Sequence, residues 1–245
     1  MSEKPYYLAY EERYRKVYEA GLERWGHAPD NEALVSALTE WVDENQLRGK
    51  RIIEFACGEG ASGEILSELG CVYHGVDIAP SAVEKASIAL EHYPNASVSL
   101  LDMVNDRVTG VYDAAIDIMG FHMLVLDSDR AKYLKNAFNC LKNGAPMLFF
   151  KQSYRHDAPA SNEIIETIEQ WTAITGEDYI TPNIRTAPHT GTDIEVNIPL
   201  VPARAKNIDG YINDFTNAGF IFDSYTEEEL NDQNPYSVTM YVHKP

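Results

Sequence analysis

The chain has 245 residues, enough for one large α/β domain or two small ones, and 44% of them are hydrophobic, enough for a buried core. Twenty basic residues against 38 acidic give a formal net charge of −18 with no Lys/Arg-rich block, so nucleic acid is an unfavourable partner. The opening MSEKPYYLAYEERYRK holds no apolar run of signal-peptide or membrane length, and Cys57, Cys71 and Cys140 lack disulfide or metal-type spacing; the expectation is a cytoplasmic protein without membrane contact or required metal.

Segment 7–25, YLAYEERYRKVYEAGLERW, sets Tyr10, Tyr14, Val17, Tyr18, Gly21 and Trp25 roughly on one stripe and predicts a helix. Asp30 can cap a second helix to about Gln46, with Leu34, Leu38, Trp41 and Val42 on its apolar face. From Lys50 the pattern alternates: strand RIIEFA, a glycine turn, helix ASGEILSELG, strand CVYHGVD, then Pro80 opening helix SAVEKASIALEHY. Strands SVSLLD and YDAAIDIM, helix DRAKYLKNAFNCL and strand PMLFFK continue it, which predicts a doubly wound, mostly parallel α/β sheet with helices on both faces. Alternation lapses over 153–206, read as an insertion with a helix in NEIIETIEQWTAI and a hairpin including TDIEVNIPL. Helix NIDGYINDFTNAG and strands FIFDSYT and SVTMYVH close the chain as an antiparallel pair at the sheet's far edge, bringing the sheet to seven strands. The whole is expected to be one domain, 1–245, with residues 1–48 as an N-terminal helical cap.

The turn after the first strand, Glu54-Phe-Ala-Cys-Gly58-Glu-Gly60-Ala-Ser-Gly63, satisfies both G-x-G-x-x-G and acid-x-x-x-G-x-G. Glycines there let backbone approach a ligand, which a nicotinamide dinucleotide and S-adenosylmethionine (SAM) both require. Charge separates them, because Glu54 and Glu59 oppose a pyrophosphate but suit the ammonium and sulfonium of SAM. Asp77, ending the second strand, can accept both ribose hydroxyls; Asp102, ending the third, can accept the adenine amino group while Met103 packs near the ring.

EFACGEG, HGVDIAPSAVEKA, LLDM, YDAAIDIMGFHML and LKNGAPMLFF resemble the successive motifs of class I SAM-dependent methyltransferases, over Lys50–Lys151 with the closing helix and strand pair. The resemblance implies a Rossmann-like methyltransferase fold, with SAM as cofactor. It implies that Glu54, Ala56, Gly58 and Gly60 surround the methionine part, Asp77 and Ile78 the ribose, Asp102 and Met103 the adenine, and Asp117 the rim near the sulfonium. Glu54 stands where many members have Asp, and Ala56-Cys57 replaces the commoner Gly-Cys.

Outside that core, Tyr14 and Tyr18 are expected to cover the cofactor with electron-rich faces, and Trp25 to pack. His122 follows the fourth strand where an acceptor should meet the methyl group, and is the expected catalytic residue; the histidines at 27, 74, 92 and 243 read as incidental. Arg155, His156, Arg185, His189 and Arg204 in the insertion, taken as the substrate side, make a carboxylate or phenolate acceptor conceivable. The expected activity is transfer of a methyl group from SAM to an O or N atom of a small molecule by in-line displacement. Two alternatives stand beside it: an NAD-dependent oxidoreductase, and a SAM-binding protein without turnover. The acceptor and the oligomeric state are left open.

Overall fold

The strand and helix alternation after Lys50 folds as a layered α/β sheet; the computed structural model describes residues 5–158, 161–179, 181, 183–189, 192–229 and 236–245. Its N-terminal half contains α1 (Ala9–Glu19), α2 (Glu32–Glu44), β1 (Arg51–Phe55), α3 (Ala61–Glu68), β2 (Val72–Asp77), α4 (Pro80–Ala89), β3 (Ala96–Leu100) and β4 (Ala114–Ile118). There follow α5 (Asp127–Cys140), β5 (Pro146–Ser153), α6 (Ile168–Thr175), β6 (Asn183–His189), β7 (Thr192–Ile198), α7 (Ile208–Ala218), β8 (Ile221–Glu229) and β9 (Tyr236–His243).

Seven strands pair in the order β3-β2-β1-β4-β5-β9-β8, parallel from β3 to β5 and antiparallel through β9 and β8. β6 and β7 form a separate antiparallel ribbon. Because side chains alternate across a strand, the buried central strands divide their apolar residues between two cores. One gathers Phe55, Phe121, Phe149, Tyr211 and Phe215 beside α5 and α7, and the other Leu38, Trp41, Ile52, Leu66 and Leu148 beside α2 and α3.

Four boundaries differ from the sequence reading, each for a local reason. Asn31 rather than Asp30 caps α2, its side chain accepting from Leu34 N–H at 3.0 Å. The helix expected over 7–25 stops at Glu19 because Leu22 N–H bonds Val17 O (3.2 Å) and Gly21 N–H bonds Tyr18 O (2.9 Å), the paired bonds of a Schellman stop. The helix expected over NEIIETIEQWTAI begins only at Ile168, where Thr167 and Gln170 form a capping box. Asp102 lies just past β3, where its carboxylate accepts from Val104 N–H at 3.0 Å and so closes a turn.

A buried charge network ties the chain's return from the 153–206 segment to α5 and α7. Arg130 donates to Asp214 (2.7 and 2.9 Å), Lys206 lies 2.7 Å from Asp214, and Arg204 lies 2.8 Å from Asp127. Arg204 also donates to the carbonyls of Val125 and Glu163, so its guanidinium serves the fold rather than an acceptor. Arg155 is exposed beside Asp157, and the side chains of Arg185 and His189 lie outside the described residues. Among the described residues no helix is long and apolar enough to cross a membrane.

Candidate active site

Open α/β sheets bind ligands beyond the C-terminal ends of their strands, and a cavity of about 410 Å³ lies there. Glu54, Ala56 and Gly58 reach it from β1 and its turn, Asp77 and Ile78 from the end of β2, Asp102 and Met103 from beyond β3, and Tyr14 from α1. The turn requires glycine at two points. Gly58 has φ 52°, and a Cβ there would come 2.9 Å from the Tyr14 hydroxyl; Gly60, at φ 84°, caps α3, and a Cβ would press 3.1 Å from Ala86 Cβ. Ala56 adopts φ 57°, a left-handed conformation in which its N–H points to Met103 Sδ at 2.9 Å.

Of the carboxylates that line this space, Glu54, Asp77 and Asp102 are held by different partners. Glu54 is buried and accepts hydrogen bonds from the Ser62 and Tyr73 hydroxyls; burial is the dominant cause that pushes its carboxyl up to about 8. Asp77 accepts from Gly58 N–H (2.8 Å) and Ala79 N–H (2.9 Å), so each oxygen keeps a lone pair for a ligand, while burial raises its pKa. Asp102 receives Asn105 Nδ2 at 2.9 Å and the Tyr7 hydroxyl at 3.2 Å.

Four expected site residues do not line the cavity. Tyr18 lies behind the glycine turn, donating its hydroxyl to Glu59 Oε1 at 2.7 Å. Gly60 shapes the turn from the α4 side. Asp117 is fully buried beneath the rim, where it accepts from Gly120 N–H (2.8 Å), Phe121 N–H (3.0 Å), Gln152 Nε2 (2.8 Å) and the Tyr133 hydroxyl. His122 needs the larger correction. The turn at Phe121–Met123 directs its ring to β5, with Nδ1 3.1 Å from Gln152 Oε1, and burial lowers its pKa to about 4. The fold therefore buries it beside β5 and does not bring it to the wall of this cavity.

In their place the cavity wall includes Tyr7, Tyr10, His27, Met119 and Met123, which the sequence reading did not assign to it. Tyr10 and Tyr14 belong to the stripe read from the sequence, of which Tyr14 was expected to cover the cofactor; Tyr7, three residues before Tyr10, extends the tyrosine wall beyond that stripe. Glu59 fastens this tyrosine-lined roof: besides Tyr18, its carboxylate accepts from Trp25 N–H (2.9 Å) and Gly26 N–H (2.7 Å). Glu11 makes a second attachment, accepting from Ser81 N–H (3.0 Å) and Ser81 Oγ (2.6 Å) at the start of α4. Val17 and Leu22 pack against Val196 and Ile198 of β7, which joins the ribbon to the roof.

The antiparallel pair at one edge sets this sheet apart from the 3-2-1-4-5-6 order of dinucleotide-binding folds, and the acidic glycine turn fits a cationic ligand. Residues 53–147 match a family model described as a methyltransferase domain. The chain is similar in fold to CcbJ methyltransferase from Streptomyces caelestis, with 13% identity, TM-score 0.64 and coverage of 98% of this chain and 99% of that one. A SAM-dependent methyltransferase from Clostridium acetobutylicum gives 14% identity, TM-score 0.62 and coverage of 94% and 96%. Magnesium protoporphyrin IX methyltransferase from Synechocystis, solved with bound S-adenosylhomocysteine, gives 13%, 0.59, 95% and 93%. The chain matches no curated protein sequence. A methyltransferase-domain match over residues 53–147 thus falls on the strands that carry the motifs, within a fold shared with SAM-dependent methyltransferases.

Proposed function

We propose that the chain is a class I SAM-dependent methyltransferase that transfers the methyl group to an oxygen or nitrogen atom of a small molecule. The observation that carries this reading is the roof. A tyrosine-lined N-terminal segment, fastened at Glu59 and Ser81, covers a cavity of about 410 Å³, a size that suits small ligands. The net charge of −18 further disfavours a nucleic-acid acceptor. One relative by fold bears a name with a small-molecule acceptor, magnesium protoporphyrin IX.

The residues present fit SAM. Gly58 leaves the close approach that a Cβ would fill, Asp77 offers lone pairs for the ribose hydroxyls, and the buried Glu54 carboxyl suits an ammonium that would restore its charge. Ala56 and Gly58 would flank the methionine part, Ile78 the ribose, and Asp102 with Met103 the adenine, with Tyr14 above. Tyr18 acts through Glu59, Gly60 by shaping the turn, and Asp117 by holding the amides of Gly120 and Phe121. His122 is assigned a positioning role through Gln152, which also bonds Asp117. Residues 1–48 are proposed as the cap and 153–206 as the substrate-side insertion, supported by the packing of α1 on β7. The three buried, unpaired cysteines support a reducing, cytoplasmic setting.

Bound SAM supplies an electrophilic methyl carbon on a sulfonium. The chain's own part is to align the acceptor with that carbon, exclude water and take up the acceptor's proton. Incubation with methyl-tritiated SAM and the deproteinised small-molecule fraction of a cell extract tests the reading. Label should enter a low-molecular-weight product; label only in protein or nucleic acid would contradict it.

A further inference from the structure

We propose that His27 is the catalytic residue on the acceptor side of the cavity, receiving the acceptor's proton as its oxygen or nitrogen takes the methyl group. The inference rests on the methyltransferase reading above and names a residue for its proton transfer. His27 lies in the loop between α1 and α2, yet it lines the same cavity as Asp77 and Met103. The loop is held just before the residue and at its own carbonyl. Glu59 accepts from Trp25 N–H and Gly26 N–H, and Arg24 donates to the His27 carbonyl at 2.9 Å. Those bonds fix a ring whose Nε2 stands 3.3 Å from Met119 Sδ.

Met119, beside the ring, lines the same cavity. It follows β4 directly, its N–H bonds Phe150 O at 3.1 Å, and it holds φ 58°. A left-handed conformation is strained at a residue other than glycine, and such positions gather at functional sites. A thioether sulfur is a weak acceptor, so the imidazole keeps its hydrogen-bonding capacity for a ligand. The wall on this side is apolar and soft, with Trp25, Ile118 and Met123, which suits an acceptor carrying a flat apolar body and one hydroxyl or amino group.

The charged groups around the loop are Lys151 at the end of β5, paired with Glu228 of β8 at 2.9 Å, Glu59 under the backbone, and Arg24 at the carbonyl. Burial first, and the Lys151 charge second, lower the His27 pKa from its usual 6.5. The ring is therefore neutral near physiological pH and has a lone pair to offer. In the step, the acceptor's lone pair forms the bond to the methyl carbon, and the carbon–sulfur bond breaks with its electrons remaining on sulfur. The acceptor's proton passes to the imidazole, which later releases it to water. Nothing else is consumed.

The test uses the full chain in three forms: wild type, His27→Ala and His27→Gln. Calorimetry with SAM should give unchanged affinity in both variants. Transfer of labelled methyl to the small-molecule extract fraction should fall by about a hundredfold or more in both, since a glutamine amide holds an acceptor but takes no proton. The wild-type rate should also lose its acidic limb in the variants. By NMR, the His27 ring should titrate below 6.5 in the free protein and shift when S-adenosylhomocysteine is added. Wild-type rates in His27→Gln, or lost SAM affinity in that variant, would overturn the proposal. So would a ring that titrates normally and ignores S-adenosylhomocysteine, a readout that decides the matter even if the extract yields no product. Failure of SAM to bind the wild type would instead overturn the methyltransferase reading.

Discussion

Glu54 and Asp77 carry the same nominal charge but do different work. Asp77 is held by two backbone N–H bonds, whereas Glu54 is held only by the hydroxyls of Ser62 and Tyr73, in a site where burial dominates. With its carboxyl pushed up to about 8 from 4.5, Glu54 is protonated near neutral pH in the free protein. An ammonium placed beside it would favour the ionised form, so SAM binding should release a proton and tighten as pH rises towards 8, levelling above it. The stability of the free protein should move oppositely. Between pH 4.5 and 8 the folded state holds the extra proton, so this group's contribution is full below 4.5 and is lost as pH rises through 8. Calorimetry in buffers of different ionisation enthalpy checks the release; Glu54→Gln should abolish it, and release persisting in that variant would assign it elsewhere. The carboxylates and glycines of the motif were legible in the sequence because strand, turn and acid follow one another locally. His122 misled because adjacency to β4 says nothing about which way a turn points a ring, and His27 was invisible because 92 positions separate it from Met119.

The N-terminal segment shows the same limit for an element. Its helix was legible from a stripe of tyrosines, but the Schellman stop at Gly21 and the return of Trp25 and Gly26 to Glu59 depend on tertiary partners. That attachment concentrates three hydrogen bonds to the segment on one carboxylate, including the Tyr18 hydroxyl. Glu59→Ala should therefore loosen the segment without unfolding the sheet, since the two main cores lie elsewhere. Trypsin should cut faster after Arg13, Arg15, Lys16 and Arg24, SAM should slow the cut in the wild type, and SAM affinity should fall in the variant. Unaltered cleavage and affinity would mean that the roof is held by Glu11 and the β7 packing alone. The insertion was less legible than the sheet because its helix start depends on a cap at Thr167, and its return on ion pairs with Asp127 and Asp214, residues supplied by α5 and α7.

Across the whole molecule, the sheet order, the acidic turn and the roofed cavity make one arrangement for a cationic nucleoside. The strand sequence predicted the parallel half well, because buried parallel strands read as apolar runs separated by helices. It also predicted the edge hairpin, since short polar connections favour antiparallel neighbours, and β8 and β9 pair in that way. The sequence pattern pointed to an N-terminal cap, but not to what fastens it, because the attachments are contacts between α1, α4 and β7. The central claim is that this cavity holds SAM through Asp77 and not a dinucleotide. Isothermal titration of the intact protein tests it directly. SAM should bind one per chain and NAD should give no heat, and Asp77→Ala, with an unchanged circular dichroism spectrum, should weaken SAM by about 1.5–3 kcal/mol through lost bonds to a charged acceptor. Binding of NAD without SAM, or SAM affinity indifferent to Asp77, would contradict the account.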